Sequence, residues 1–190
     1  MADNNGGSLA FPLVSTALVE EFQSERNLLI CEDINDALAL RIMLVLRHLD
    51  NESNDPIYLY INSPGGSVSA GLTIIDNMKL VKSPIYTVCY GLAASMAALI
   101  FAAGEKGHRY ILPHGEVMIH QPWRQIQAAF NQSDFEREGN RFKRLRETLE
   151  KILADASGRS LKEMHDACEH DNFLTAEEAV EMGLADIILK

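Results

Sequence analysis

Cysteine is scarce in this chain, and its three copies do not pair. Cys31, Cys89 and Cys168 are widely spaced and form no C-x-x-C motif, which argues against a disulfide framework or a thiolate zinc site. Cys89 lies within an apolar run and reads as a small core residue. A reducing compartment, the cytoplasm, is the expected location. Clusters of positive charge are also missing. Acidic residues outnumber basic ones 27 to 17, for a net charge of −10, so a surface for nucleic-acid phosphates is not expected. Arg141, Lys143, Arg144 and Arg146 alternate with Glu136, Glu138, Glu147 and Glu150 and read as a solvated helix face. The first residues, Met1 to Ser8, have neither the basic start nor the apolar centre of a signal peptide and read as a flexible tail. The nearest approach to a membrane span is Ile85–Ala103, 19 residues without charge. Gly91 divides that run into a β-branched, aromatic part and an Ala/Met/Leu part, the pattern of a buried strand followed by a buried helix. No membrane association is expected. Internal repeats and low-complexity linkers are absent.

What is present suits one core. The 190 residues are 47% hydrophobic, enough for a single domain over 1–190 and short for two. Ile57–Ile61 reads as a buried strand broken by the turn residues Asn62-Ser63-Pro64-Gly65-Gly66-Ser67. Leu72, Ile75, Met78 and Leu80 then recur at near-helical spacing. A strand over 85–90 and a helix over 94–103 follow, with short strands at 109–112 and 116–119. This alternation predicts an α/β fold with parallel strands joined by right-handed crossovers. Leu38, Ile42, Val45, Leu46 and Leu49 mark an earlier amphipathic helix. The longest helical signal spans 133–156, with Phe135, Phe142, Leu149 and Ala156 repeating every seven residues. That stripe serves either the chain's own core or a subunit interface. Gly139 weakens this helix unless something packs closely there. A last helix at 176–182 ends at Gly183 and leads to a strand-like 185–189.

Three residues form a chemical series along the chain. Ser95 stands among small side chains in Gly91-Leu92-Ala93-Ala94-Ser95-Met96-Ala97-Ala98, at the start of a helix. Small neighbours admit a substrate backbone, and a helix start supplies unpaired N–H groups. His120 ends the apolar run Val117-Met118-Ile119, and Asp171 comes later. Ser, His and Asp can serve as nucleophile, base and orienting acid. The other histidines, at 48, 108, 114, 165 and 170, do not leave a buried strand in this way. Gly65-Gly66 is compatible with a phosphate cradle or an oxyanion hole. The P-loop pattern G-x-x-x-x-G-K-[ST] and the dinucleotide pattern G-x-G-x-x-G are both absent, which favours the oxyanion hole. The G-x-S-x-G elbow of α/β-hydrolases is also absent.

Four segments together resemble the ClpP family, the proteolytic subunits of ATP-dependent Clp proteases. They are Ile57–Val68, Ala93–Met96, Val117–Pro122 and Asp171–Ala179, within a similarity running from about Arg26 to Ile188. The resemblance implies a crotonase-like fold of repeated β-β-α units with a protruding handle of strand plus long helix, at 121–156. It implies Ser95 as nucleophile, His120 as general base and acid, Asp171 as the residue orienting His120, and the backbone N–H groups of Gly66 and Met96 as oxyanion donors. No cofactor or metal is implied, because ATP is used by a partner AAA+ unfoldase. Stacked heptameric rings are implied, with unfolded protein as substrate. The handle favours ring contacts for Phe135, Phe142 and Leu149.

The chain departs from the family pattern at four places. The usual glycine-rich strand after His120-Gln121-Pro122 reads Trp123-Arg124-Gln125-Ile126-Gln127-Ala128-Ala129-Phe130, which puts Trp123 and Ile126 at the substrate groove. Ala97 stands where Gly is common. The segment 9–25 matches the axial segment poorly. His170 replaces an Arg that commonly links ring assembly to the catalytic Asp. A histidine there is expected to make assembly pH-dependent, seen as a change in sedimentation between about pH 6 and 8; unchanged sedimentation would refute it. These departures fit a divergent paralogue. The alternative to a working peptidase is a ring subunit with little or no activity that modulates an active paralogue in a mixed assembly. An acyl-CoA enzyme of crotonase type would need no serine nucleophile.

Overall fold

A computed structural model describes residues 16–123 and 131–190. Five strands, β1 (Asn27–Ile30), β2 (Ile57–Ser63), β3 (Ile85–Ala94), β4 (Arg109–Ile111) and β7 (Ile187–Ile188), lie side by side in that order and all run parallel. β5 (Glu116–Ile119) pairs parallel with the far end of β3, and β6 (Asn172–Leu174) pairs antiparallel with β5. β3 therefore changes partner along its length. Thr87–Cys89 face β4, whereas Leu92–Ala94 face β5. The C-terminal end of β3 lies at this change of neighbour, a place where open α/β sheets present ligand sites.

Gly91 does not end the strand, contrary to the sequence reading. β3 continues to Ala94 because β2 and β3 slip past one another: Ile61 pairs with Cys89 but Ser63 with Ala93. The Asn62 side chain fills the bulge and its Oδ1 accepts from Leu92 N at 3.0 Å. A Cβ on Gly91 would stand 2.6 Å from that same oxygen, so glycine is required by a close approach across the sheet.

α2 (Asp36–Glu52) is capped by Asn35, which accepts from Leu38 N, and buries Leu38, Ala39, Ile42, Leu46 and Leu49. α3 (Val68–Leu80) buries Ala70, Gly71, Ile74, Ile75 and Met78, while Leu80 is exposed. Every residue of α4 (Met96–Ala102) is buried. β2 buries Ile57, Leu59, Ile61 and Ser63 on one face only. The other face carries Tyr58 and Tyr60, which meet the rings of Tyr86 and Phe22 at 5.3 and 5.4 Å.

The long helix α5 (Gln132–Ser157) is capped by Asn131 and ends at Gly158. Its buried residues, Leu149, Glu150, Leu153 and Ala154, all lie in its C-terminal half. Leu149 is thus taken up by the chain's own core, which corrects its expected place at a ring contact. Phe135 is 66% exposed and Phe142 half-buried. Among the described residues, nothing beyond the helix's own nearby backbone lies within 4 Å of a Cβ built on Gly139. Four elements have no counterpart in the sequence reading: β1, β6, α1 (Thr16–Ser24), which occupies part of the expected axial segment, and α6 (Leu161–Ala167). α6 buries a single side chain, Met164, too little for a periodic signal. α7 (Ala176–Met182) carries a capping box of Thr175 and Glu178. Ile126 and the strand part of the handle lie outside the described residues.

Arg109 is 2% exposed and forks onto Asp186, with Nε donating to Oδ2 at 2.8 Å and Nη2 to Oδ1 at 2.6 Å. Burial alone would raise the Asp186 carboxyl, but the hydrogen bonds and charge of Arg109 outweigh it and hold the carboxyl below its ordinary value. A carboxyl lowered on folding adds stability that is present above its unfolded value and lost as pH falls through the folded one. The pair's contribution is therefore expected to fade below about pH 4. In Asp186→Asn, which lacks the titrating group, that part of the acid dependence should be missing from urea midpoints measured across the acid range.

Candidate active site

The last rungs of the β3–β5 ladder carry the chain into Ser95, whose N–H donates to Met118 O at 2.8 Å. The residue then turns sharply, with φ 54° and ψ −122°, before α4 begins at Met96. Its hydroxyl does not cap that helix. It lies 2.7 Å from His120 Nε2 instead. His120 follows β5 directly, and Asp171 directly precedes β6. Because Ile119 pairs antiparallel with Asn172, the next position on each strand brings His120 opposite Asp171. His120 Nδ1 and Asp171 Oδ1 are 3.1 Å apart. The network assigns the tautomer: Nδ1–H donates to the carboxylate, which leaves Nε2 to accept from Ser95. The histidine side chain is 14% exposed and the aspartate 66%, so the acid stands at the rim and the base within.

Gly65 and Gly66 stand beside this trio at φ 96° and 146°. Gly65 O accepts from Ile34 N, and Ser67 N donates to Ile34 O, both at 2.8 Å. In a trans peptide the N–H opposes the preceding carbonyl. Gly65 O faces Ile34, so Gly66 N–H must face away from it. A Cβ on Gly65 would meet Ala94 O at 2.6 Å, Ser95 Cβ at 2.9 Å and Met96 N at 3.0 Å. Backbone here passes over Ser95 only because no side chain intervenes. Among the described residues, neither Gly66 N–H nor Met96 N–H donates to a protein acceptor.

A cleft of about 1530 Å³ opens over His120 and Gly66, between the start of α3 and α5. Val68, Leu72, Pro122, Phe142 and Leu145 give it an apolar wall, and Trp123, 76% exposed, stands at its edge. Phe135, His170 and Asp171 line it as well. Trp123, Phe135 and Phe142 thus line the same cavity as His120 and Asp171.

Two of the three thiols are chemically silent. Burial raises the Cys89 thiol to about 11 and the Cys168 thiol to about 12, so neither is a thiolate near neutral pH. His108 is stacked on Tyr86 and His165 is bound to Glu150, away from Ser95. Among the described residues no group of three His, Cys, Asp or Glu side chains could hold a metal ion. No described helix is long and apolar enough to cross a membrane, because the uncharged run beginning at Ile85 divides into β3 and α4.

Sequence reasoning missed the groups that hold the trio. Gln121 N donates to Cys168 O at 2.6 Å, and Gln121 Nε2 to Glu169 O at 2.7 Å. Arg146 reaches both Gln121 and Glu169 from α5. The alternating charges around Arg146 gave no sign of this, since a solvated helix face has the same pattern.

The family model for Clp protease matches residues 13–190. The chain is 46% identical over 166 residues to the ATP-dependent Clp protease proteolytic subunit 3 of Synechococcus sp. (strain CC9605), covering 87% of this chain and 82% of that one. It is 46% identical over 167 residues to proteolytic subunit 2 of Prochlorococcus marinus (strain NATL2A), covering 87% and 83%. It is 42% identical over 167 residues to the ATP-dependent Clp protease proteolytic subunit of Streptococcus agalactiae serotype V, covering 87% and 85%. With the match spanning nearly the whole chain, this protein belongs to the Clp protease family.

Proposed function

We propose that the chain is the proteolytic subunit of an ATP-dependent Clp protease and cleaves peptide bonds through Ser95, His120 and Asp171. The observation that carries the reading is the continuous contact from Ser95 Oγ to His120 Nε2 and from His120 Nδ1 to Asp171, at 2.7 and 3.1 Å. His120 takes the hydroxyl proton as Ser95 Oγ attacks the substrate carbonyl. The resulting oxyanion accepts hydrogen bonds from the N–H groups of Gly66 and Met96, neither of which donates to an acceptor among the described residues. The imidazolium returns its proton to the leaving amine, and an acyl-enzyme remains on Ser95. Water, deprotonated by His120, attacks that ester, and His120 returns the proton to Ser95 Oγ as the carboxyl product leaves. Asp171 keeps Nδ1 protonated and the ring turned toward Ser95.

The apolar wall of Val68, Leu72 and Phe142 supports a preference for an apolar side chain beside the cleaved bond. Exposed Phe135 and the open surface at Gly139 support assembly through the N-terminal half of α5. Stacked rings and an AAA+ partner that delivers unfolded protein complete the reading. ATP is consumed by that partner, and the chain itself needs no cofactor. The direct test is reaction with a fluorophosphonate followed by peptide mapping. Modification at Ser95 alone, abolished in His120→Ala, is expected. Modification elsewhere, or none, would refute the reading.

A further inference from the structure

His120 and Asp171 stand just beyond the last rung of an antiparallel ladder, Ile119 with Asn172. A ladder end is free to splay, yet this one is closed again on its far side. Gln121 donates from its backbone to Cys168 O at 2.6 Å and from its side chain to Glu169 O at 2.7 Å. The base and acid are thus bracketed between a rung and a clasp. One cation fixes the clasp. Arg146 Nη1 donates to Gln121 Oε1 at 3.0 Å, Nη2 to Glu169 Oε2 at 2.8 Å, and Nε to Glu150 Oε1 at 2.6 Å.

The anchor of this fork is firm. Glu150 is 3% exposed, and its second oxygen lies 3.1 Å from His165 Nδ1. The Arg146 side chain is itself 19% exposed. Three donors of a planar group meet acceptors on three separate segments, which a lysine ammonium does not reproduce with the same fixed angles. The hydrogen bonds to Glu150 and Glu169 also push the guanidinium above its ordinary value, so it stays charged throughout the working range.

We infer that Arg146 is a positioning residue for the peptidase chemistry: through Gln121 and Glu169 it fixes His120 against Asp171. The inference rests on the peptidase reading above. Without the fork, Gln121 can turn its amide, the clasp loosens, and the ladder end splays. A displacement of about one ångström at a catalytic group costs about a hundredfold in rate.

The test compares Arg146→Met, Arg146→Lys and Gln121→Leu with the wild type. It reads the rate constant for Ser95 modification by a fluorophosphonate, and kcat and KM for a fluorogenic peptide, each per titrated site. Arg146→Met and Gln121→Leu are expected to lose about 10- to 100-fold in modification rate and kcat while KM moves less than about threefold. Arg146→Lys should recover part of the loss. A residue that only stabilises the fold would lower the melting temperature and the titrated fraction and leave the rate constant per site unchanged. Rates within twofold of wild type in Gln121→Leu would overturn the inference, and that variant decides it if Arg146→Met does not fold. A wild type that fails to react at Ser95 would overturn the peptidase reading and this inference with it. A wild type and variants that react equally would overturn the inference alone.

Discussion

Ser95→Ala is expected to lose peptide hydrolysis almost completely, with kcat falling by about a millionfold. The hydroxyl's hydrogen bond is to His120 Nε2, and its removal takes away the atom that forms the acyl-enzyme. The binding cleft, the Gly66 and Met96 N–H groups and the His120–Asp171 pair remain. Substrate should therefore still bind, with KM close to wild type. Alanine keeps the Cβ, so the fold and its melting temperature should change little. The measurement is kcat and KM on short fluorogenic peptides, with the variant at concentrations high enough to read the residual rate. Activity above about one per cent would mean that another group attacks, and the buried thiols at 89 and 168 are poorly placed to do so.

Gly66→Ala is expected to cost about 100- to 1,000-fold in kcat, the value of one lost oxyanion donor. At φ 146° an alanine is strained whatever the space around it. Its Cβ would also press on the backbone carbonyl oxygen of Ile34 and stand 2.8 Å from Ile34 N. Backbone has to move, and the peptide that moves is the one whose N–H faces away from Ile34. The donor acts on charge that develops only in the transition state, so KM should change far less than kcat. Ser67→Ala serves as the comparison. It removes the cap on α3, in which Ser67 Oγ accepts from Ala70 N, and costs about 1 kcal/mol of stability. Equal losses of kcat in both variants would mean that Gly66 acts through the fold and not through its amide.

The sequence reading reached furthest where residues adjacent in the chain do the work. The strand, glycine turn and helix at 57–80 are one such stretch, and the Ser95 segment another. The order Ser95, His120, Asp171 was also readable, and the β5–β6 register supplies the reason those distant residues meet. Reading failed where one segment's shape depends on another far along the chain. Gly91 resembled a terminator until Asn62 supplied the bulge that carries β3 past it. Leu149 shared its heptad stripe with exposed Phe135, and only packing of the C-terminal half of α5 separates the two. β6 and α6 are too short to impose a period on the sequence. The clasp at Gln121 was hidden because its partners, Arg146 and Glu169, are 25 and 48 positions away, and each alone is an ordinary surface residue.

Ser95 holds a backbone conformation that glycine adopts freely and a serine resists. The hydroxyl proposed as the nucleophile is therefore carried at the least comfortable point of its own turn, and the surrounding sheet and helix must supply the force that keeps it there. Selection for thermal endurance alone would drift this position toward glycine and lose the enzyme. The residue that makes the chain useful is one that its own architecture would discard.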